Sequence, residues 1–217
     1  MKIYVVRHGE TTWNKEEVFR GRKDIPLNDM GLWQAERTGA FFSGKGVSAI
    51  YSSPLARARQ TASKIGEASR VPVTVDDAFT DMDFGPWEGL SLATVQERFP
   101  QPLDTWRNYP HRFRIPGAET LARVRKRVEK GLQKAVTDGL TDGPADGPAV
   151  VIVTHRVICK LLILHFLGVS NRFFWKIKCD PASITLAEQT GEDYTLSMVN
   201  QTLQLQERDV CREYRDF

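Results

Sequence analysis

The chain has 217 residues, 41% hydrophobic and 26% charged, which supports a packed core of one α/β domain and excludes a disordered or fibrous chain. Lys plus Arg exceeds Asp plus Glu by 30 − 27 = +3, too mild and too evenly spread to indicate a nucleic-acid or anionic-membrane surface, so any anion specificity must be local. Cys159, Cys179 and Cys211 are odd in number, far apart and without C-x-x-C spacing, which suggests neither a disulfide framework nor a zinc knuckle; inert thiols in a reducing cytoplasm are expected.

In chain order, Met1-Lys2 leads directly into the apolar run Ile3 to Val6, too short for a secretory segment, and no later run approaches a membrane span, so a soluble cytosolic protein is expected. Ile3 to Val6, Val47 to Tyr51 and Val150 to Val153 each end abruptly in polar residues and read as buried strands. Helical patterns follow them: Leu32, Ala35 and Phe42; Leu55, Ala58, Ala62 and Ile65; Val157, Leu161, Leu164 and Phe166. This alternation is that of βαβ units. Ser53-Pro54 predicts a helix start with Ser53 as N-cap, which puts Arg57 in the first turn near the strand end.

Residues 76–116, rich in Trp, Tyr, Phe, Pro and Arg, read as a cap or active-site loop insertion with one short helix from Ser91 to Phe99. Leu121, Val124, Val128, Leu132 and Val136 predict an amphipathic helix over 118–136, whose Arg123, Arg125, Lys126, Arg127, Lys130 and Lys134 form a solvated face. Asp138 to Pro148 reads as a turn-rich surface loop within one domain, 1–217. Ser183 to Gln189 and Tyr194 to Val199 flank a turn and predict a hairpin, an antiparallel addition at one sheet edge. The expected fold is therefore a three-layer α/β/α arrangement around a mainly parallel sheet with an antiparallel edge strand.

Open α/β sheets bind ligands outside the carboxyl ends of their strands. Here those ends carry Arg7, His8 and His155, with Arg57 one helical turn on, a set of two His and two Arg suited to an anion. Metal is the competing use of His, but no second His lies at i+3 or i+4 from His8 or His155 and no carboxylates have ligand spacing.

The string Arg7-His8-Gly9-Glu10-Thr11-Thr12-Trp13-Asn14 resembles the R-H-G-E-T-x-x-N motif of the histidine phosphatase superfamily, which includes the phosphoglycerate mutases. The likeness continues through Arg20-Gly21, Asp24-Ile25-Pro26-Leu27, Tyr51 to Ala62, Asp83 to Gly89 and Val153-Thr154-His155, in the family's order. The resemblance implies a phosphoglycerate mutase-like fold and a metal-independent reaction without cofactor, in which His8 takes the phosphoryl group as a neutral imidazole. It further implies that Arg7, Arg57 and His155 neutralise the phosphoryl oxygens, that Asn14 contacts phosphate, and that Arg20-Gly21 brings backbone to the ligand. For Asn14 a helix cap or Asx-turn is the structural alternative.

Two departures stand out. Where the family usually has a Glu as general acid, this chain has Asp81, shorter by one methylene, with Asp83 and Glu88 as alternatives. Arg156 follows His155 where relatives often have Gly, so its side chain must point away or join the substrate site, where it would bind a second anionic group.

The region after the acid loop is shorter than the mutases' basic insertion, and Trp106, Tyr109, His111, Arg112, Phe113 and Arg114 offer a lid that would admit water. A phosphatase acting on a small phosphorylated metabolite is therefore expected ahead of a mutase-type phosphoryl transferase, and a non-catalytic phospho-ligand binding module is the reading from a different class. No nucleic-acid or membrane partner is expected, and a homodimer is compatible with the sequence.

Overall fold

The computed structural model describes residues 1–140 and 148–206. Its elements run β1 (Lys2–Arg7), α1 (Thr12–Lys15), α2 (Asp29–Phe41), β2 (Val47–Ser52), α3 (Ala56–Ser69), β3 (Val73–Val75), α4 (Leu92–Arg98), α5 (Pro100–Asn108), α6 (Leu121–Gly139), β4 (Ala149–Thr154), α7 (Arg156–Phe166), β5 (Ile184–Thr190) and β6 (Asp193–Gln201). Short 3₁₀ turns join several of them, among them Asn171–Lys176.

The six strands form one sheet in the order β3-β2-β4-β1-β5-β6. β3, β2, β4 and β1 are mutually parallel, and β5 and β6 add an antiparallel edge. β4, Ala149 to Thr154, is buried at every position, as a central parallel strand covered on both faces must be. β6 alternates exposed and half-buried residues, as an edge strand does.

Successive strand residues point to opposite faces, and two apolar clusters result. Tyr4, Val6, Val151 and Val153 pack with Phe42, Ala58, Ala62 and Ile65 from the α2–α3 side. Ile3, Val5, Val150 and Ile152 pack with Val124, Val128 and Leu132 of α6 and Leu161 and Leu164 of α7. Helices thus cover both faces, giving the three layers the patterning called for.

The second cluster extends into residues 76–116, and here the lid expectation needs correcting. Trp106 and Phe113 are fully buried, packed edge-on or tilted among Trp87, Phe84, Phe174 and Trp175, and so are core rather than lid; Tyr109, Arg112 and Arg114 are exposed. Burying rings of this size outweighs the polar character of the neighbouring sequence.

Other differences are local. α3 begins at Ala56 with Leu55 as N-cap, two residues after the expected Ser53, whose hydroxyl accepts from the Leu55 amide and also meets His155. Leu32 lies on the outer face of α2 and is exposed. α6 runs on to Gly139, past the expected end at Val136, and residues 141–147 of the expected surface loop lie outside the described residues. Cys211 lies there too; Cys159 and Cys179 are buried free thiols, and burial pushes the Cys159 thiol well up. Among the described residues no helix is long and apolar enough to cross a membrane.

Candidate active site

His8 follows the last residue of β1, and His155 follows the last residue of β4, the neighbouring parallel strand. Arg7 pairs with Thr154 in the ladder, and the His8 amide donates to the Thr154 carbonyl at 2.9 Å, so the two histidines emerge side by side. Their ring centroids are 5.1 Å apart. His155 is also the N-cap position of α7, so the pocket lies at the N-terminus of an eleven-residue helix, where backbone N–H groups favour an anion.

The tautomers follow from the hydrogen bonds. His8 Nδ1 lies 2.6 Å from the Gly9 carbonyl, which can only accept, so Nδ1 carries the proton and the Nε2 lone pair is left for attack. Arg57 Nε, which can only donate, lies 3.2 Å from His155 Nδ1, so the His155 proton sits on Nε2 and is donated to Ser53 Oγ at 2.7 Å. Burial and then the charges of Arg57, Arg7 and Arg20 hold the His8 pKa well below the usual imidazole range. His155 is held down in the same way, by burial and then by Arg57. Both rings are neutral near pH 7, so the 3.8 Å approach of His155 Nδ1 to Asp81 Oδ2 is not an ion pair.

The pocket is lined by His8, Arg20, Gly21, Asp81, Arg156 and Val157, with Phe19 and Phe84 as apolar walls. Arg57 is fully buried and tied to this wall: its guanidinium donates to the Gly21 carbonyl at 2.9 Å and the Lys23 carbonyl at 2.7 Å, and approaches Asp81 Oδ2 to 3.6 Å. Arg7 is likewise buried and donates to the Cys179 carbonyl. Burial and then the charges of Arg7, Arg156 and Arg57 lower the Arg20 pKa well below its ordinary value. Arg7, Arg20, Arg57 and Arg156 thus gather around the pocket, and a bound anion would relieve their mutual repulsion.

Of the three acid candidates only Asp81 lines the pocket. Its Oδ1 accepts from the Met82 amide at 2.9 Å, while Oδ2 faces Arg57 and His155. Glu88 Oε1 accepts from the Arg22 and Phe84 amides, and Asp83 Oδ1 from the Gly85 amide, so both shape loops. Gly21 has φ +49°, and a Cβ there would lie 1.9 Å from Glu88 Oε1; only glycine fits. Asn14 does not line the pocket. Its Oδ1 accepts from the Thr11 amide at 2.9 Å and the Thr11 hydroxyl at 2.8 Å, the capping geometry.

Three contributors escaped the sequence reading. Ser53 orients His155 while its hydroxyl also accepts from the Leu55 amide ahead of α3. Arg127 turns inward from the supposed solvated face of α6 to bond the carbonyls of Ala78 (2.7 Å) and Asp81 (3.0 Å), and Glu119 holds Arg127 while accepting from the Asp83 amide. Only the low polarity of the neighbouring Val124 and Val128 hinted that Arg127 could be drawn in. Among the described residues no group of three His, Cys, Asp or Glu is placed to hold a metal.

The model of the histidine phosphatase superfamily (branch 1) matches residues 3–202. Phosphoserine phosphatase 1 of Hydrogenobacter thermophilus (strain DSM 6534 / IAM 12695 / TK-6) is 31% identical over 207 residues, 95% of each chain. Among solved structures, YhfR of Bacillus stearothermophilus superposes with a TM-score of 0.87 at 27% identity, covering 94% of this chain and 98% of its own. A mycobacterial glucosyl-3-phosphoglycerate phosphatase complexed with VO3 gives 0.83 at 25% identity, covering 93% and 99%.

Proposed function

The chain belongs to the histidine phosphatase superfamily (branch 1), and on that footing we infer that it is a phosphomonoester hydrolase working through a phosphohistidine at His8. The observation that carries this reading is the fixed His8 tautomer, a neutral nucleophile inside a cage of arginines.

The roles we assign are as follows. His8 Nε2 attacks phosphorus in line, forming the N–P bond as the P–O bond to the leaving group breaks. Arg7, Arg20 and Arg57 gather the charge of the non-bridging oxygens, and neutral His155, its Nδ1 taken by Arg57 and its Nε2–H by Ser53, holds Arg57 in place beside the same group. Arg is suited to this by its planar fork and permanent charge. Asp81 relays to the departing alkoxide the proton that the substrate brings as its phosphate monoanion, and as a carboxylate it then takes a proton from the water that attacks the phosphohistidine, releasing phosphate. Gly21 lets backbone approach the ligand and holds Arg57 through its carbonyl. Asn14 would meet phosphate only through Nδ2, since Oδ1 caps α1.

The substrate class we propose is a small phosphorylated metabolite, in keeping with the arginines gathered at the pocket and with relatives named as phosphatases of such compounds, with a cytoplasmic location and neither nucleic acid nor membrane as partner. Phosphate release from p-nitrophenyl phosphate in the presence of chelator tests the reading. The protein is expected to turn over and His8→Ala to be inactive; tight phosphate binding without turnover would instead make it a binding module.

A further inference from the structure

Arg20 and Gly21 line the pocket together with Asp81, and the two segments that carry them are hydrogen-bonded to each other. Val18 forms an antiparallel bridge with Ser91, the Phe19 amide donates to the Leu90 carbonyl at 3.0 Å, and the Gly89 amide donates to the Phe19 carbonyl at 2.8 Å. Arg22 continues this seam and is held at both ends of the residue. Its amide donates to Glu88 Oε1 at 2.8 Å, and its guanidinium lies 3.2 Å from Glu119 Oε2. The same two oxygens take successive amides of the acid loop, Glu88 Oε1 that of Phe84 at 3.2 Å and Glu119 Oε2 that of Asp83 at 3.1 Å. Arg57, for its part, bonds the carbonyls on either side of Arg22, those of Gly21 and Lys23. Against the upward push of burial, Arg127, the Asp83 amide and Arg22 hold the Glu119 pKa below its ordinary value, so the tie is an ionic one.

Resting on the phosphatase reading, we propose that Arg22 is a positioning residue: through Glu119 and Glu88 it sets the distance between Arg20, on the phosphoryl side of the pocket, and Asp81, which serves the leaving oxygen. Arg22 does not line the pocket, so its effect passes through the two carboxylates. Its side chain is 44% exposed, and an isolated ion pair of that kind contributes little. Here Glu119 shares its charge with Arg127 and the Asp83 amide as well, so Arg22 closes a network that already grips the acid loop. Aspartate makes the spacing matter. Its carboxyl stands one methylene from the backbone, so a small shift of the loop reaches the proton transfer almost undiminished.

Arg22→Gln, which keeps the backbone amide and removes the ion pair, tests this with two esters of similar shape. On phenyl phosphate kcat/KM is expected to fall about fivefold, the upper end of what a half-exposed ion pair supports. On p-nitrophenyl phosphate the loss should stay under about twofold, because the better leaving group departs without a proton. Competitive inhibition by inorganic phosphate should also stay within about twofold, since the arginine cage is untouched. Glu119→Gln keeps an oxygen for the Asp83 amide, and in that background Arg22→Gln should have almost no further effect, as two residues acting through one contact require. Equal losses on the two esters, no loss on phenyl phosphate, a change confined to phosphate inhibition, or a full fivefold loss in the Glu119→Gln background would each overturn the proposal. Failure of the unmodified protein to hydrolyse p-nitrophenyl phosphate would instead overturn the phosphatase reading on which it rests.

Discussion

At His8 and His155 the titration of single rings is tied to folding. Both are buried with lowered pKa values, so above about pH 6.5 neither state of the chain holds the extra protons and the histidines cost nothing. Below that the unfolded chain takes up protons the fold refuses, and stability falls with pH until the lowered folded values are reached. The slope is about 1.4 kcal/mol per pH unit for each ring. Urea midpoints measured from pH 7 to pH 5 should decline, and the decline should roughly halve in His155→Gln; a midpoint independent of pH over that range would contradict the burial of two neutral rings. Asp81 makes a separate prediction. Asp81→Asn should slow hydrolysis of an alkyl phosphate by about 100-fold or more and that of p-nitrophenyl phosphate far less, because a good leaving group departs without a proton. Equal losses on the two substrates, with selective loss in Glu88→Gln, would move the acid to Glu88.

Among the elements, α6 does more than cover the sheet. Arg127 on this helix holds the carbonyls of residues 78 and 81, and Glu119 before it holds Arg127 and the Asp83 amide, so the acid loop is pinned to α6. Arg127→Gln should therefore lower kcat about tenfold with KM little changed, since Asp81 would be misplaced by a fraction of its reach while the arginine cage stays intact. The loss should be larger on alkyl than on aryl esters; a change confined to KM would contradict a positioning role. This helix also shows what one sequence can and cannot convey. Its apolar spacing revealed the element, but which long cation folds back on a loop depends on a loop distant in sequence. β3 has only three residues, two of them exposed, and α5 opens with Pro100 and Pro102 and buries just Leu103 and Trp106, so neither left a periodic signal. At Ser53 the local rule held only in part: its hydroxyl accepts from the Leu55 amide, as a cap does, but also meets His155, a tertiary partner no local pattern reveals, and the helix itself opens at Ala56.

Over the whole molecule, a net charge of +3 conceals a strongly uneven distribution, with Arg7, Arg20, Arg57 and Arg156 gathered at the carboxyl end of the parallel strands. Strand order does this. β1 and β4 are neighbours at the centre of the sheet, and β2, which leads into Ser53 and Arg57, lies on the other side of β4, so residues 8, 53, 57 and 155 meet although separated by up to 147 positions. The strand-end motifs made this meeting legible in the sequence, because parallel βαβ units bring their carboxyl ends to one rim. The aromatic packing of residues 76–116 was not, because rings beside prolines and arginines look alike in a lid and in a core. The central claim is that His8 carries the phosphoryl group, and it is tested by quenching the enzyme during turnover into denaturing alkali and measuring its intact mass and peptide map. The account predicts one phosphoryl group on the peptide containing His8, stable in base, lost in acid and missing from His8→Ala. Undiminished turnover by His8→Ala, or a phosphoryl group on any other residue, would contradict it.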